Sequence, residues 1–211
     1  MAGPLANRDT SVVEIGPGLL YIAPIGTTEP AGIADSAWPA PVAAVPGSPG
    51  TPAVKGWIEL GYTDNGSEFK VTPTTDDVKV AEETDPIATV TTAVKSLLTM
   101  DLAQLTAFNL AVVMGGGVIV TSGGVITFEP PGEGEELEVM VGWRALDKSE
   151  AMFWRRCKST ASLDLQRRAG GATKAILPVE FTVLAVTGKR AWKWLADASK
   201  ISPDASLIYP S

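Results

Sequence analysis

The chain has 211 residues, 45% hydrophobic and 19% charged, with one cysteine, no histidine and a formal net charge of −7. These numbers describe a folded chain with one substantial core and a single domain over 1–211. They exclude an internal disulfide, imidazole catalysis and zinc sites of the usual kind. A negative balance also argues against a protein that grips nucleic acid, because phosphate binding is driven by Lys and Arg. The charge is unevenly spread: residues 1–143 carry 5 basic and 18 acidic side chains, whereas residues 144–193 carry 11 basic and 4 acidic. Complementary faces meeting between identical subunits would use such a split; a solvated surface of uneven composition is the plainer account.

In chain order, residues 1–18 read as a Gly/Pro-punctuated arm. Arg8 beside Asp9 and the short apolar run at 19–25 do not make a signal peptide. Leu19 to Ala23 reads as a first strand closed by Pro24. From about 24 to 56 the chain reads as a surface loop, with six prolines between Pro30 and Pro52 and polyproline-like stretches. Trp38 marks the alternative of a docking loop. Asp64-Asn65-Gly66 is a tight-turn signal, since Asn and Gly tolerate positive φ. Ser67 to Val71 then alternates as a strand, Pro73 to Asp77 turns, and Val78 and Val80 begin a strand that breaks at 82–86.

The dominant element is Ala88 to Leu102. Its even positions, Ala88, Val90, Val94, Leu98, Met100 and Leu102 among them, are mostly apolar, and its odd positions are Thr-rich. Period two predicts a strand of roughly 50 Å at about 3.3 Å per residue, too long for one compact domain to cover its edges. Neighbouring chains are expected to pair with it. Asp101 with Gln104 predicts a capped helix start, followed by about three turns with Leu102, Leu105, Phe108, Val112 and Val113 on or near one stripe and Gly115-Gly116-Gly117 as the stop. Beyond it, Val118–Thr121 and Val125–Phe128 flank a Ser-Gly-Gly turn and predict a hairpin. Leu137 to Trp143 predicts a half-buried strand. Further strands are expected over 152–158, 161–166 and 174–186, with Pro178 marking an edge or a bulge, and the tail from about 199 to 211 reads as loose.

Little chemistry is legible. The triple glycine lacks the Lys-Ser/Thr of a phosphate loop. Cys157 lies among Arg155, Arg156 and Lys158 but has no base or second thiol to make it reactive. The acidic pairs Asp76-Asp77, Glu82-Glu83 and Glu135-Glu136 lack calcium-loop spacing. No catalytic, cofactor or metal site is expected, and no membrane span.

Residues 57–117 resemble the major tail proteins, or tail tube proteins, of long-tailed siphophages. The match runs through Leu60-Gly61-Tyr62-Thr63-x-x-Gly66, Phe69-x-Val71, Val80-Ala81-Glu82-Glu83-x-Asp85-Pro86, the Thr-rich strand, and the helix ending at Gly115-Gly116. The resemblance implies two packed antiparallel sheets, sandwich- or barrel-like, flanked by one helix. It also implies hexameric rings that stack into a tube, a lumen that conducts DNA without sequence-specific binding, and no turnover. Expected partners are further copies of itself, a tape measure protein, a tail terminator and a distal tail protein. The expected location is the virion tail, after folding in the host cytoplasm. For the lumen, Asp76, Asp77, Glu82, Glu83 and Asp101 are the candidates. The competing readings are a β-sandwich that binds a ligand or glycan through Trp38, Trp57, Trp192 and Trp194, and another virion ring such as a terminator or distal tail component.

Overall fold

The computed structural model describes residues 18–40, 55–78, 85–160, 163 and 176–197. The expected arm, the Pro-rich stretch from 41 to 54, the strand over 161–166 (save residue 163) and the tail lie outside the described residues. Among the described residues there are ten strands: β1 (Gly18–Pro24), β2 (Ile58–Glu59), β3 (Thr63–Val78), β4 (Ala88–Leu102), β5 (Val118–Ser122), β6 (Val125–Glu129), β7 (Glu138–Ala145), β8 (Glu150–Ser159), β9 (Leu177–Val183) and β10 (Trp192–Ala196). One α-helix, α1 (Ala107–Val113), follows β4, and a short 3-10 turn occupies Asp35–Ala37. The fold is mainly β, with every strand pair antiparallel.

Eight strands form one sheet in the order β2-β1-β7-β8-β9-β4-β3, with β10 also on β8; β5 and β6 form a separate hairpin. The large sheet divides at β8. Its first half pairs with β10, as in Met152↔Trp194, and its last residues pair with β9, as in Cys157↔Val183. Between them β8 carries an extra residue against β7, where Val139↔Cys157 is followed by Val141↔Trp154. Such a bulge bends and twists a strand, which lets the two wings fold over one core. That core joins Leu20 and Ile22 of β1, Val141 of β7, Trp154 and Cys157 of β8, Leu98, Met100 and Leu102 of β4, Phe181 of β9 and Val113 of α1. The result is a two-layer sandwich flanked by one helix.

A second cluster covers the outer face of β1, β7 and β8: Trp38, Trp57, Met140 and Phe153, with Tyr21 packed against them. Tyr21 stacks on Trp38 at 4.8 Å between ring centroids, and Trp57 meets Trp38 edge-on at 5.0 Å. Gly142 of β7 lies under this pair, where a Cβ would collide with the Trp38 ring. Segment 30–40 is therefore a structural cover, which corrects, for these residues, the expectation of a surface loop. It also makes β7 buried on both faces, Arg144 included, rather than half-buried.

The helix begins later than Asp101 predicts. Asp101 stays in β4, paired with Pro178, and the cap is Thr106, whose hydroxyl accepts the Asn109 N–H at 3.0 Å. Leu102 is a strand residue of the core, so α1 has about two turns instead of three. The glycine stop is as expected: Gly115, Gly116 and Gly117 all have positive φ, and the Gly116 N–H donates to the Ala111 carbonyl at 2.7 Å. The hairpin after it turns on Gly123 and Gly124, both at positive φ, as a two-residue hairpin loop of this hand requires.

Candidate assembly surface

β3 and β4 form a long two-stranded ribbon, paired from Thr63↔Leu102 to Val78↔Ala88. This corrects two expected turns. Asp64-Asn65-Gly66 is an irregularity inside β3, between the pairs Thr63↔Leu102 and Ser67↔Met100, with Gly66 supplying the positive φ. Pro73 to Asp77 continues the strand; Pro73 pairs with Val94 and is tolerated because β3 is an edge.

Only the inner half of the ribbon belongs to the body. β9 accompanies β4 over Leu97–Leu102, and there Ser96, Leu98, Met100 and Leu102 are buried. From Ala88 to Lys95 every β4 side chain is exposed. Among the described residues no strand lies beyond β3, and none lies beyond β4 before Leu97. The overhang reaches about 25 Å past the body at about 3.3 Å per residue, and both of its edges carry unpaired backbone donors and acceptors.

The two faces of the ribbon follow from strand alternation. Leu98, Phe69, Val71 and Val94 point to the core side. Glu68, Lys70, Thr72 and Thr74 of β3 share the opposite, polar face with Lys95, Leu97, Thr99 and Asp101 of β4. Through the pairs Thr99↔Glu180 and Leu97↔Thr182, Glu180 and Thr182 of β9 extend it. One row across the three strands reads Glu68, Thr99, Glu180.

A bulge then changes the phase. Thr74 pairs with Ala93 and Thr75 with Thr91, leaving Thr92 as the extra residue; its hydroxyl donates to the Thr74 carbonyl at 3.3 Å. Beyond it Val90 faces the same side as Asp76, its cross-strand partner, so the even positions of β4 do not form one continuous apolar face. Asp77 turns to the core side, where the Thr89 hydroxyl donates to it at 3.1 Å.

Of the expected lumen residues, the polar face thus holds Asp76 and Asp101, at opposite ends, and not Asp77; Glu82 and Glu83 lie outside the described residues. Glu68 and Glu180 sit on the same face but stand out only once the strand neighbours are known. Lys70 and Lys95 are also on it, so four carboxylates share the face with two ammonium groups.

The motif Leu60-Gly61-Tyr62 ties the ribbon to the helix. Leu60 is buried, its N–H donates to the Leu20 carbonyl, and its carbonyl accepts the buried Asn109 amide at 3.3 Å. The same amide donates to the Gln104 carbonyl at 2.9 Å. Gly61, at φ +84, lies against the Gln104 side chain, where an added Cβ would collide. The Tyr62 carbonyl accepts the Ala103 N–H, while its ring is exposed. An apolar groove of about 400 Å³ opens between α1, Ile119 of the hairpin and the adjoining ends of β1 and β7.

Part of the charge split of the sequence is met inside the chain. Arg144 and Lys148 pair with Asp35, Arg155 and Lys189 with Glu29, Arg156 with Glu138, and Lys158 with Glu136. Each pair joins a cation of 144–193 to a carboxylate from the acidic part. Arg155 grips Glu29 through two bonds of 2.8 and 2.9 Å, and this pairing holds the Glu29 carboxyl at about 2. Burial pushes the Cys157 thiol up to about 12, which suits a packed side chain and not a nucleophile. Trp38 and Trp57 are buried, leaving Trp192 and Trp194 only partly exposed, a poor platform for stacking a sugar. No described group of acidic, Cys or His side chains could hold a metal ion, and no described helix is long and apolar enough to cross a membrane.

The ribbon with open edges, the two-layer body and the single helix meet one further observation: the family model for phage tail tube protein matches residues 5–205. The chain belongs to the phage tail tube protein family. No curated protein matches it at a significant level. A tail tube protein is a structural component of the virion tail, and the open edges of the ribbon are where its assembly must be sought.

Proposed function

We propose that this tail tube protein is the repeating subunit of a siphophage tail, assembled as hexameric rings that stack around a DNA-conducting lumen. The observation that carries the reading is the overhang of β3 and β4. A strand pair exposed on both faces with both edges open has no role in an isolated domain, and closure into a barrel with other copies removes those edges. The contact is heterologous, so it closes laterally into a ring.

The polar face of Glu68, Thr72, Thr74, Thr99, Asp101, Glu180 and Asp76 supports a lumen role. Carboxylates repel phosphates and threonines offer them only uncharged hydroxyl donors, whereas a lysine-rich wall would hold DNA in place. Lys70 lies two positions from Glu68 on one strand, and Lys95 is the other cation, so the face stays net negative. The subunit works without turnover, after folding in the host cytoplasm. Tape measure, terminator and distal tail proteins are its expected partners at the core and ends of the tube.

Electron microscopy of the purified protein, concentrated and held for days, tests this. Stacked tubes with six-fold end views are expected. A closed dimer, or a monomer that binds glycans, would refute it.

A further inference from the structure

The hairpin β5–β6 serves neither the core nor the ribbon. Its strands alternate so that Ile119 and Phe128 face the groove side, while Val118, Val120 and Val125 lie on the opposite face with Thr127 and Ser122. These valines are exposed, Val120 by 52% and Val125 by 65%. A cluster of apolar, uncharged side chains on one exposed face marks an interaction surface more than a solvated one. The overhang has a matching property on its core-side face: Val71, Pro73, Thr75 and Val94 continue the line of Phe69 and Leu98 past the end of the core, with Val94 exposed by 59%. Neither surface covers the other within one chain, since both remain open.

We infer that the core-side face of the overhang in one copy packs on the outer face of the β5–β6 hairpin in the next. The partner is a second copy because a tube made of 211-residue subunits needs a contact that propagates, and a hairpin meeting its own counterpart would close as a two-fold pair. The hairpin face is uncharged apart from Glu129 at its base, so its counterpart must be uncharged as well. The stretch Val71, Pro73, Thr75 and Val94 meets that condition as far as Asp77 near its tip, whereas the polar face of the ribbon and the Arg–Glu pairs on the body do not. The inference rests on the tube reading above and adds the surface that holds neighbouring copies beside the edge pairing. Repetition around the ring lets each such contact hold without reaching the roughly 800 Å² per partner of a stable pairwise complex.

Cysteine cross-linking tests it, because the native thiol of Cys157 is buried and silent. Val94→Cys and Val120→Cys proteins are mixed in equal amounts, assembled, oxidised with copper-phenanthroline and run without reductant. A covalent dimer that forms in the mixture and in neither variant alone is expected. Tubes that yield no such dimer, or a Val120→Cys protein that cross-links to itself, would overturn the packing while leaving the tube reading intact. Wild-type protein that never forms rings or tubes would sink both. As a second measurement, Val120→Glu should reduce the assembled fraction at least tenfold with an unchanged thermal midpoint, and assembly at the wild-type level would overturn the packing.

Discussion

Replacing Trp38 by alanine asks whether segment 30–40 is a cover for the sheet or a detachable loop. Trp38 is 6% exposed, stacked on Tyr21, edge-on to Trp57 and seated over Gly142. Truncating a buried tryptophan costs about 3–5 kcal/mol through lost transfer energy and the cavity left behind. One term opposes this: the indole N–H of Trp38 has no hydrogen-bond partner among the described residues, and removing an unsatisfied buried donor returns on the order of 1–2 kcal/mol. The net expectation is a loss of about 3 kcal/mol. With a urea dependence of about 2 kcal/mol per molar, the midpoint should fall by about 1.5 M. Trp38→Phe separates the two terms, since it keeps a stacked ring and deletes the orphan donor; it should lose about 1 kcal/mol or less. A shift below about 1 kcal/mol for the alanine variant, with the phenylalanine variant no better, would show that the segment is not part of the folded body.

Four other outcomes are expected. Glu29→Gln should cost about 1 kcal/mol near neutrality, a partly buried bidentate pair being worth more than an exposed one. Because the folded carboxyl is depressed to about 2, that difference is present above its ordinary 4.5 and should vanish as unfolding is followed down to pH 2. Cys157 should resist a thiol reagent at pH 8 until the chain unfolds. Since its folded value is raised from 9.0 to about 12, stability should decline as pH rises past 9, where only the unfolded thiol ionises. Thr106→Ala should remove about 1 kcal/mol in urea titration by deleting the helix cap, and Thr106→Ser should retain it. Deleting Thr92 should leave the thermal midpoint within about 2 °C and the pairing of Thr75 with Thr91 intact, but abolish tubes by electron microscopy, because it removes the bulge that bends and twists the overhang.

The elements whose neighbours are local were legible in the sequence. β4 was bounded correctly from its alternation, and the β5–β6 hairpin and the glycine stop follow from backbone chemistry within a few residues. What could not be read were outcomes decided by a partner strand. Asp64-Asn65-Gly66 has the same positive-φ signal whether the chain reverses or bulges, and only the pairing of Ser67 with Met100 selects the bulge. Asp101 looks like a cap, yet Pro178 of β9 claims it for the sheet. Trp38 sits in a Pro-rich segment that reads as surface, and its burial depends on Gly142, more than 100 residues away. The polar face joins residues of different legibility: Asp76 and Asp101 stand out as acidic in the sequence, but that they share a face with Glu180 follows only from the neighbour relations of β3, β4 and β9.

The two halves of β4 obey different constraints, and this explains why its pattern misleads. From Ser96 to Leu102 alternation is set by the core of the same chain, so even residues are buried there. Before Ser96 none of the described residues selects a face, yet valine persists at positions 90 and 94, and Val71 and Val78 persist across the ribbon. Exposed valines cost solubility without contributing to the monomer's stability. Among the described residues nothing covers them, and on the tube reading their counterpart is supplied by further copies. The Thr92 bulge divides these residues, placing Val94 and Val71 on the core side and Val90 and Val78 on the polar side at the far end. A ribbon with one apolar patch on each face at different heights can touch two different neighbours, one beside it and one beyond its tip, which is what lateral closure together with axial stacking demands of a tube subunit.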